Sequence, residues 1–240
     1  MPFARARIRW PSACQVCGRW PTEVVCAPCR ARFAPARTRC PCCAAVLLDG
    51  VPGVCPGCQR QPAGWLQACG VAVDYAYPWN GLMARFKFRG EAGWARPFAD
   101  LMARSPGARA AIEAADALAP VPLTARRVAE RGLHPPWELV KALRQRADPP
   151  AWHDALVRLV DTVDQRRLDR AGRLRNLQGV FAVPPHRLAE VAGAHVLLVD
   201  DVTTTGATLQ AAAQALHAAG AARVGALVFA RTPAPHEQPA

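Results

Sequence analysis

The chain has 240 residues, enough for one sizeable domain and a small module or for two modest domains. Apolar residues make up 51% of it and charged residues 20%, which is typical of a globular protein and excludes a largely disordered chain. The net charge is +12, and Lys87 and Lys141 are the only lysines among 30 basic residues. Since arginine binds phosphate in bidentate fashion, a polyanionic ligand is favoured, although coding bias would also give an arginine-rich composition.

The sequence predicts a cytoplasmic protein. Residues 1–14 are basic but lack the apolar core of a signal peptide. No stretch approaches the roughly 18 continuous apolar residues of a membrane span, so we expect no membrane insertion. Because cytoplasmic thiols stay reduced, the ten cysteines are better explained as metal ligands than as disulfides.

Residues 1–69 are predicted to form a cysteine module. Eight cysteines form four Cys-x-x-Cys pairs, and two such pairs complete a closed tetrahedral zinc site. We therefore expect two structural zinc ions; sequential and cross-braced pairings both remain open. Cys42 and Cys69 are left over, and Cys42 competes with its neighbour as a ligand. The predicted ligands are Cys14, Cys17, Cys26, Cys29, Cys40, Cys43, Cys55 and Cys58.

Residues 70–231 are predicted to form the larger domain, with a hood at about residues 70–105. A strand over 71–77 is followed by a helix that ends near Phe88 and by another helix over 94–104. Lys87 and Arg89 at the first helix end are predicted to face a ligand cleft, or else to complement the helix C-terminus.

Residues 117–123 form the next predicted strand, which Pro120 and Pro122 terminate. Thr124 then opens a helix, and a helix N-terminus favours anions. The residues expected to line this anion site are Pro122, Leu123, Thr124, Arg126 and Arg127. The alternative is that these arginines form a solvated helix face.

Further along, the pattern predicts a helix over 137–146, strands over 157–160 and 179–183, and a polar, mobile or exposed stretch over 161–177. Residues 196–199 form a buried strand, residues 207–219 a helix and residues 223–231 the last strand. The proline-rich tail, 232–240, is predicted to be disordered. This order of elements predicts an α/β fold with a doubly wound parallel sheet.

A ribose 5-phosphate site is predicted after the strand 196–199. Asp200 and Asp201 suit the acceptance of hydrogen bonds from vicinal hydroxyls. The loop that follows offers backbone N–H groups and hydroxyls to one phosphate, and its glycine permits a close approach. The phosphate-binding residues are Thr203, Thr204, Thr205, Gly206, Ala207 and Thr208.

The run from Val196 to Thr208 resembles the signature of type I phosphoribosyltransferases, which bind phosphoribosyl pyrophosphate (PRPP). Together with the four cysteine pairs, Phe86–Gly90 and Pro120–Leu123, it is similar to the ComF family of competence proteins. The resemblance implies a double zinc ribbon fused to a type I phosphoribosyltransferase domain with a small hood, and a part in bacterial DNA uptake. It also implies PRPP with Mg²⁺ as ligand, pyrophosphate in the loop 122–127, and Arg173 and Asn176 on a flexible closing loop.

Three functions remain open from the sequence. One is PRPP binding in DNA uptake, with single-stranded DNA and uptake proteins as partners. Another is an active phosphoribosyltransferase with an unidentified base or amine as acceptor, and the third is a zinc-stabilised adaptor between proteins. One departure bears on the choice: where the family has Asn-Gln, this chain has His134-Pro135, which alters a polar patch beside the pyrophosphate loop.

Overall fold

A computed structural model describes residues 11–47, 52–60, 64–145, 149–159 and 179–233. By internal contacts the chain divides into two units, Met1–Pro35 and Ala36–Ala240. The second group of ligand cysteines consequently belongs to the larger unit.

A four-stranded parallel sheet forms the centre of the larger unit, as predicted. Its strands are β1 (Ala68–Asp74), β2 (Ala117–Pro120), β5 (His195–Thr203) and β6 (Arg223–Arg231). They lie in the order β1-β6-β5-β2. The two inner strands are long apolar runs because both of their faces are buried. Since all four strands are parallel, their carboxyl ends meet at one edge of the sheet.

Helices cover both faces of the sheet. Val196 and Leu198 of β5 share a buried cluster with Leu209 and Leu216. On the other face, Phe229 of β6 meets Phe98, with ring centroids 4.1 Å apart. The helices are α1 (Ala27–Phe33), α2 (Pro56–Gln59), α3 (Trp79–Phe88), α4 (Ala95–Arg104), α5 (Ala108–Glu113), α6 (Ala125–Arg131), α7 (Pro135–Arg144), α8 (Leu188–Val191) and α9 (Ala207–Ala218).

Two predicted strands do not join this sheet. β3 (Val157–Arg158) and β4 (Phe181–Ala182) pair antiparallel with each other and form a separate two-stranded sheet. Each is two residues long, and β3 is not buried, so neither has the doubly buried run that an inner parallel strand requires. The predicted mobile stretch 161–177, with Arg173 and Asn176, lies outside the described residues.

Strand β1, which overlaps the start of the predicted hood, is one of the sheet's two edge strands. The helix α5 was not predicted. Among the described residues, no helix is both long enough and apolar enough to cross a bilayer.

Candidate functional site

Four polar or charged side chains are buried within the described part of the chain: Thr124, Asp201, Thr203 and Arg231. All four lie at or just beyond the carboxyl ends of neighbouring strands. Burying a polar group without a partner costs free energy, so such a concentration at one edge indicates a site rather than core packing. This carboxyl edge is also where the sequence predicted the ligand.

Asp200 and Asp201 lie near the carboxyl end of β5, within a strand that places successive side chains on opposite faces. The Asp201 N–H donates to Oδ1 of Asp200 at 2.8 Å. The Asp201 side chain is 7% exposed and forms an ion pair with Lys87, with 2.6 Å between Nζ and Oδ1. Lys87, on α3, therefore supplies a positive charge that compensates the negative charge of the two aspartates.

Lys87 lies on the side of α3 that contacts Asp201, and its side chain is 14% exposed. Arg89 has different surroundings. It is the exposed residue that ends α3, and its N–H donates to the carbonyl of Arg85. Of these two cations, Lys87 therefore contacts the acidic pair, whereas Arg89 lies at the protein surface.

Burial raises the pKa of Asp200 to about 8, and the neighbouring Asp201 charge acts in the same direction. Lys87 and Arg131 oppose the increase through their positive charges. Near neutral pH, Asp200 therefore tends to hold a proton while Asp201 pairs with Lys87. A cation or a set of hydroxyl donors beside Asp200 would favour its ionised form.

The loop after β5 has the geometry of an anion site. Gly206 has a φ of 79°, a conformation that non-glycine residues rarely adopt, and it directly precedes the 12-residue helix α9. The Ala207 N–H donates to Oγ1 of Thr205 at 3.4 Å. Thr204 is exposed and Thr208 is partly exposed in the first helical turn. Hydroxyls and the helix N-terminus are thereby brought to the end of β5, an arrangement that would stabilise an anion.

A second loop follows β2, which ends at Pro120. Thr124 caps α6, as predicted, by accepting a hydrogen bond from the Arg127 N–H at 3.3 Å. The Leu123 N–H points to Nε2 of His134 at 3.2 Å, and the Trp137 N–H points to Nδ1 of the same ring at 3.0 Å. A neutral imidazole accepts at one nitrogen only, so the ring serves one of these donors at a time.

His134 thus links the loop after β2 to the start of α7, a role that the sequence did not reveal. Burial lowers the pKa of its imidazole, while the charge of Asp201 works in the opposite direction. At this position, next to the loop after β2, the chain therefore has a buried histidine whose neutral form burial favours.

The three arginines of α6 have different surroundings. Arg126 pairs with Glu130 at 2.7 Å, and its side chain is 76% exposed, which fits the solvated face rather than the predicted cleft. The Arg127 side chain is exposed as well. Arg131 differs, because its guanidinium lies 5.4 Å from the ring centroid of Phe88. The loop that follows β2 contains Pro122, Leu123 and Thr124, and β2 is the neighbour of β5 in the sheet.

The eight predicted metal ligands form two groups of four, with the sulfur atoms of each group within 4.8 Å of one another. The pairing is sequential, since the first two Cys-x-x-Cys pairs make one group and the last two make the other. Within the described residues, the second group includes Cys43 and not Cys42. Cys69 is buried in the sheet, and burial raises the pKa of its thiol to about 12.

Both groups suit a tetrahedral zinc ion with a closed thiolate shell. Burial disfavours ionisation of Cys14, but N–H groups such as that of Cys26, 3.4 Å away, lower the pKa of its thiol to about 6. Cys40 is the counterpart in the second group, with the Cys55 N–H at 3.3 Å and a pKa of about 7. Burial raises the pKa of Cys29 to about 12, so ionising a whole group requires a cation.

Several known proteins are similar to this chain. A family model for the phosphoribosyl transferase domain matches residues 153–240, which include the acidic pair and the threonine loop. The DNA utilization protein YhgH of Salmonella typhi is 30% identical over 92% of this chain and 98% of its own length. The competence protein ComFC of Bacillus subtilis is 30% identical over 88% of this chain and 86% of its own length. The chain belongs to the ComF family of competence proteins.

Competence protein F of Haemophilus influenzae, another relative, is 29% identical over 74% of this chain and 78% of its own length. A solved chain described as the allosteric regulatory enzyme of purine biosynthesis aligns with 57% of this chain and 25% of its own length, at 19% identity and a TM-score of 0.35. The fold assignment rests on the parallel sheet and the domain match instead. In this ComF protein, two features were not predicted from the sequence: the burial of Arg231 and the contact between Arg131 and Phe88.

Proposed function

We propose that this ComF protein binds PRPP at the carboxyl edge of its sheet and serves DNA uptake. The observation that carries the proposal is the placement of Asp200 and Asp201 directly before a loop in which Gly206 has a φ of 79° and opens α9. Carboxylates would repel a phosphate, so they suit the ribose hydroxyls, while the loop suits the 5-phosphate.

The remaining groups fit the rest of PRPP. The loop Pro122–Thr124 after β2 would take the pyrophosphate, next to the N-terminus of α6. A bound Mg²⁺ would supply positive charge that stabilises the phosphates of PRPP. Ionised Asp200 would accept from a hydroxyl, and the two zinc ions would remain structural.

Calorimetry with PRPP and MgCl₂ tests this assignment. We expect the doubly substituted variant Asp200→Asn/Asp201→Asn to bind at least about tenfold more weakly, since each lost charge-assisted hydrogen bond is worth about 1.5–3 kcal/mol. The control is Glu113→Gln, which removes an exposed carboxylate that pairs with Arg109 on α5. Equal affinity of the wild type and the double variant would refute the ribose assignment.

The DNA part of the proposal comes from the relatives, whose names refer to competence and to DNA utilization. With a net charge of +12, the chain is suited to the phosphate backbone of single-stranded DNA, in the cytoplasm and together with uptake proteins. Backbone binding should weaken steeply with salt. An affinity for single-stranded DNA that stays constant between 50 and 200 mM NaCl, by fluorescence anisotropy, would contradict this part.

A second candidate function, phosphoribosyl transfer, is favoured by Phe88. Phe88 is 67% exposed, and its ring lies beneath the guanidinium of Arg131. The residue directly follows Lys87, which contacts Asp201. A flat nitrogenous acceptor would stack on such a ring beside the sugar. Its nitrogen would attack C1 of PRPP as the bond from C1 to the pyrophosphate oxygen breaks, and pyrophosphate would leave.

Release of pyrophosphate from PRPP, measured with a panel of nucleobases and amines, tests the transfer. We expect one class of planar acceptor to support turnover and Phe88→Ala to raise the KM for that acceptor while PRPP affinity is retained. PRPP binding without turnover for any member of the panel would rule out the enzyme and leave the binding function intact.

A further inference from the structure

The second four-cysteine group is built into the domain that carries the ligand loop. Its cysteines, Cys40, Cys43, Cys55 and Cys58, lie in the same compact unit as the sheet. The first group lies in the other unit. Two zinc sites with the same ligands therefore have different structural surroundings.

Arg231 connects this second group to the sheet. It is the last residue of β6 and is buried, and its Nε donates to the carbonyl oxygen of Cys43 at 3.0 Å. A guanidinium is costly to bury, so its contacts must be well placed to compensate. The carbonyl that it contacts belongs to a metal ligand, so the position of that carbonyl depends on how the metal holds Cys43.

Strand β1 has its own contacts with the same knuckle, the turn Cys40–Ala45. The Cys69 N–H donates to the carbonyl of Pro41 at 2.6 Å. Arg39 bridges the knuckle and the strand end, because its Nη1 donates to the Ala44 carbonyl at 3.1 Å and its Nη2 lies 2.8 Å from Oδ1 of Asp74. Asp74 is the last residue of β1 and is in register with Arg231.

From Arg231 the ligand loop is one strand away. Arg231 is in register with Thr203 of β5, and the Thr232 N–H donates to the Thr203 carbonyl at 2.9 Å. Thr203 is buried and directly precedes the loop of Thr204, Thr205 and Gly206. Two hydrogen bonds, joined through the backbone of Arg231 and Thr232, therefore connect the Cys43 carbonyl to Thr203 at the start of the anion loop.

We propose that metal in the second four-cysteine site positions the ligand loop, with Arg231 as the positioning residue, and that the first site has no such role. Metal bound by Cys40, Cys43, Cys55 and Cys58 fixes the knuckle, and the knuckle fixes the carboxyl ends of β1 and β6. Loss of that metal releases the Cys43 carbonyl and leaves Arg231 without this acceptor. The coupling itself does not depend on which anion the loop binds; only its ligand readout rests on the proposed PRPP function.

Hydrogen–deuterium exchange on the full-length protein, with zinc measured in parallel, tests the proposal. Cys58→Ser should lose about one zinc ion per chain and exchange at least about tenfold faster at residues 200–208. Cys29→Ser should also lose one zinc ion but keep wild-type exchange at those residues. Equal exchange of residues 200–208 in the two variants would overturn the proposal.

Arg231 variants keep the test valid if Cys58→Ser fails to fold. Arg231→Met should retain both zinc ions, exchange faster at residues 200–208 and remain unchanged at residues 117–143. Arg231→Lys, which keeps a donor for the Cys43 carbonyl, should restore protection, and the surface control Arg109→Met should match the wild type. Wild-type exchange at residues 200–208 in Arg231→Met would refute the positioning role. So would exchange in Arg231→Lys that is as fast as in Arg231→Met.

PRPP titrations of the same variants separate this inference from the proposed function. If the wild type binds PRPP, Arg231→Met should bind at least about tenfold more weakly. If the wild type does not bind PRPP but the exchange differences appear, the proposed ligand is wrong and the coupling stands.

Discussion

Replacing Lys87 with methionine removes the cation from a buried ion pair and keeps a side chain of similar length. The pair joins Nζ of Lys87 to Oδ1 of Asp201 at 2.6 Å, and the two side chains are 14% and 7% exposed. At an effective dielectric constant of about 20, the Coulomb attraction at this separation is about 6 kcal/mol, an upper bound that desolvation offsets in large part. Breaking a buried pair typically costs about 3–5 kcal/mol.

We therefore expect Lys87→Met to lower the free energy of unfolding by about 3 kcal/mol at pH 8, measured by urea titration. Adding Asp201→Asn to Lys87→Met should recover part of the loss, because no charge then remains without its partner.

The chain provides its own control in its other lysine. Lys141 pairs with Glu138 at 2.8 Å, but its side chain is 47% exposed, so Lys141→Met should cost less than about 1 kcal/mol. If the two lysine variants lose the same stability at pH 8, then the Lys87 pair is not a significant buried interaction, and the electrostatic account of the acidic pair fails.

Three further predictions concern the same edge. The pKa of Asp200 is about 8 in the folded chain against an ordinary 3.8, so the folded state holds an extra proton between these values. The free energy of unfolding of the wild type should consequently fall relative to Asp200→Asn as pH rises through that window, by up to about 1.4 kcal/mol per pH unit; parallel profiles would contradict the shift. Gly206→Ala forces a side chain into a φ of 79° and should cost about 1–2 kcal/mol in urea titration and weaken PRPP binding, whereas Gly53→Ala should cost neither. Thr124→Ala removes the cap of α6 and should cost about 1 kcal/mol, with Thr124→Ser retaining most of the stability; equal losses in both variants would argue against capping.

Local patterns predicted the elements that carry the site. The apolar run before Asp200 indicated a strand buried on both faces, and Thr124 after two prolines indicated a helix cap. Both signals lie within a few residues of the structure that they specify. Cysteine spacing likewise indicated two closed metal sites, because each Cys-x-x-Cys pair is a local turn.

Contacts between distant segments could not be predicted from such patterns. Helical spacing does not show that Lys87 meets Asp201, that Arg126 remains in solvent, or that Arg131 lies over Phe88. The antiparallel pair of β3 and β4 was missed for a related reason. Two-residue strands carry no periodicity, so their partner is decided by tertiary packing.

The contact between Pro41 and Cys69 has a consequence for self-association. β1 is an edge strand of the sheet, and the outward N–H of Cys69 is occupied by the Pro41 carbonyl. Exposed strand edges are templates on which other chains add by β-pairing. A metal ion that held the knuckle in place, as proposed above, would also keep part of this edge covered. Chelated protein should thus form oligomers through β1, and light scattering would detect them.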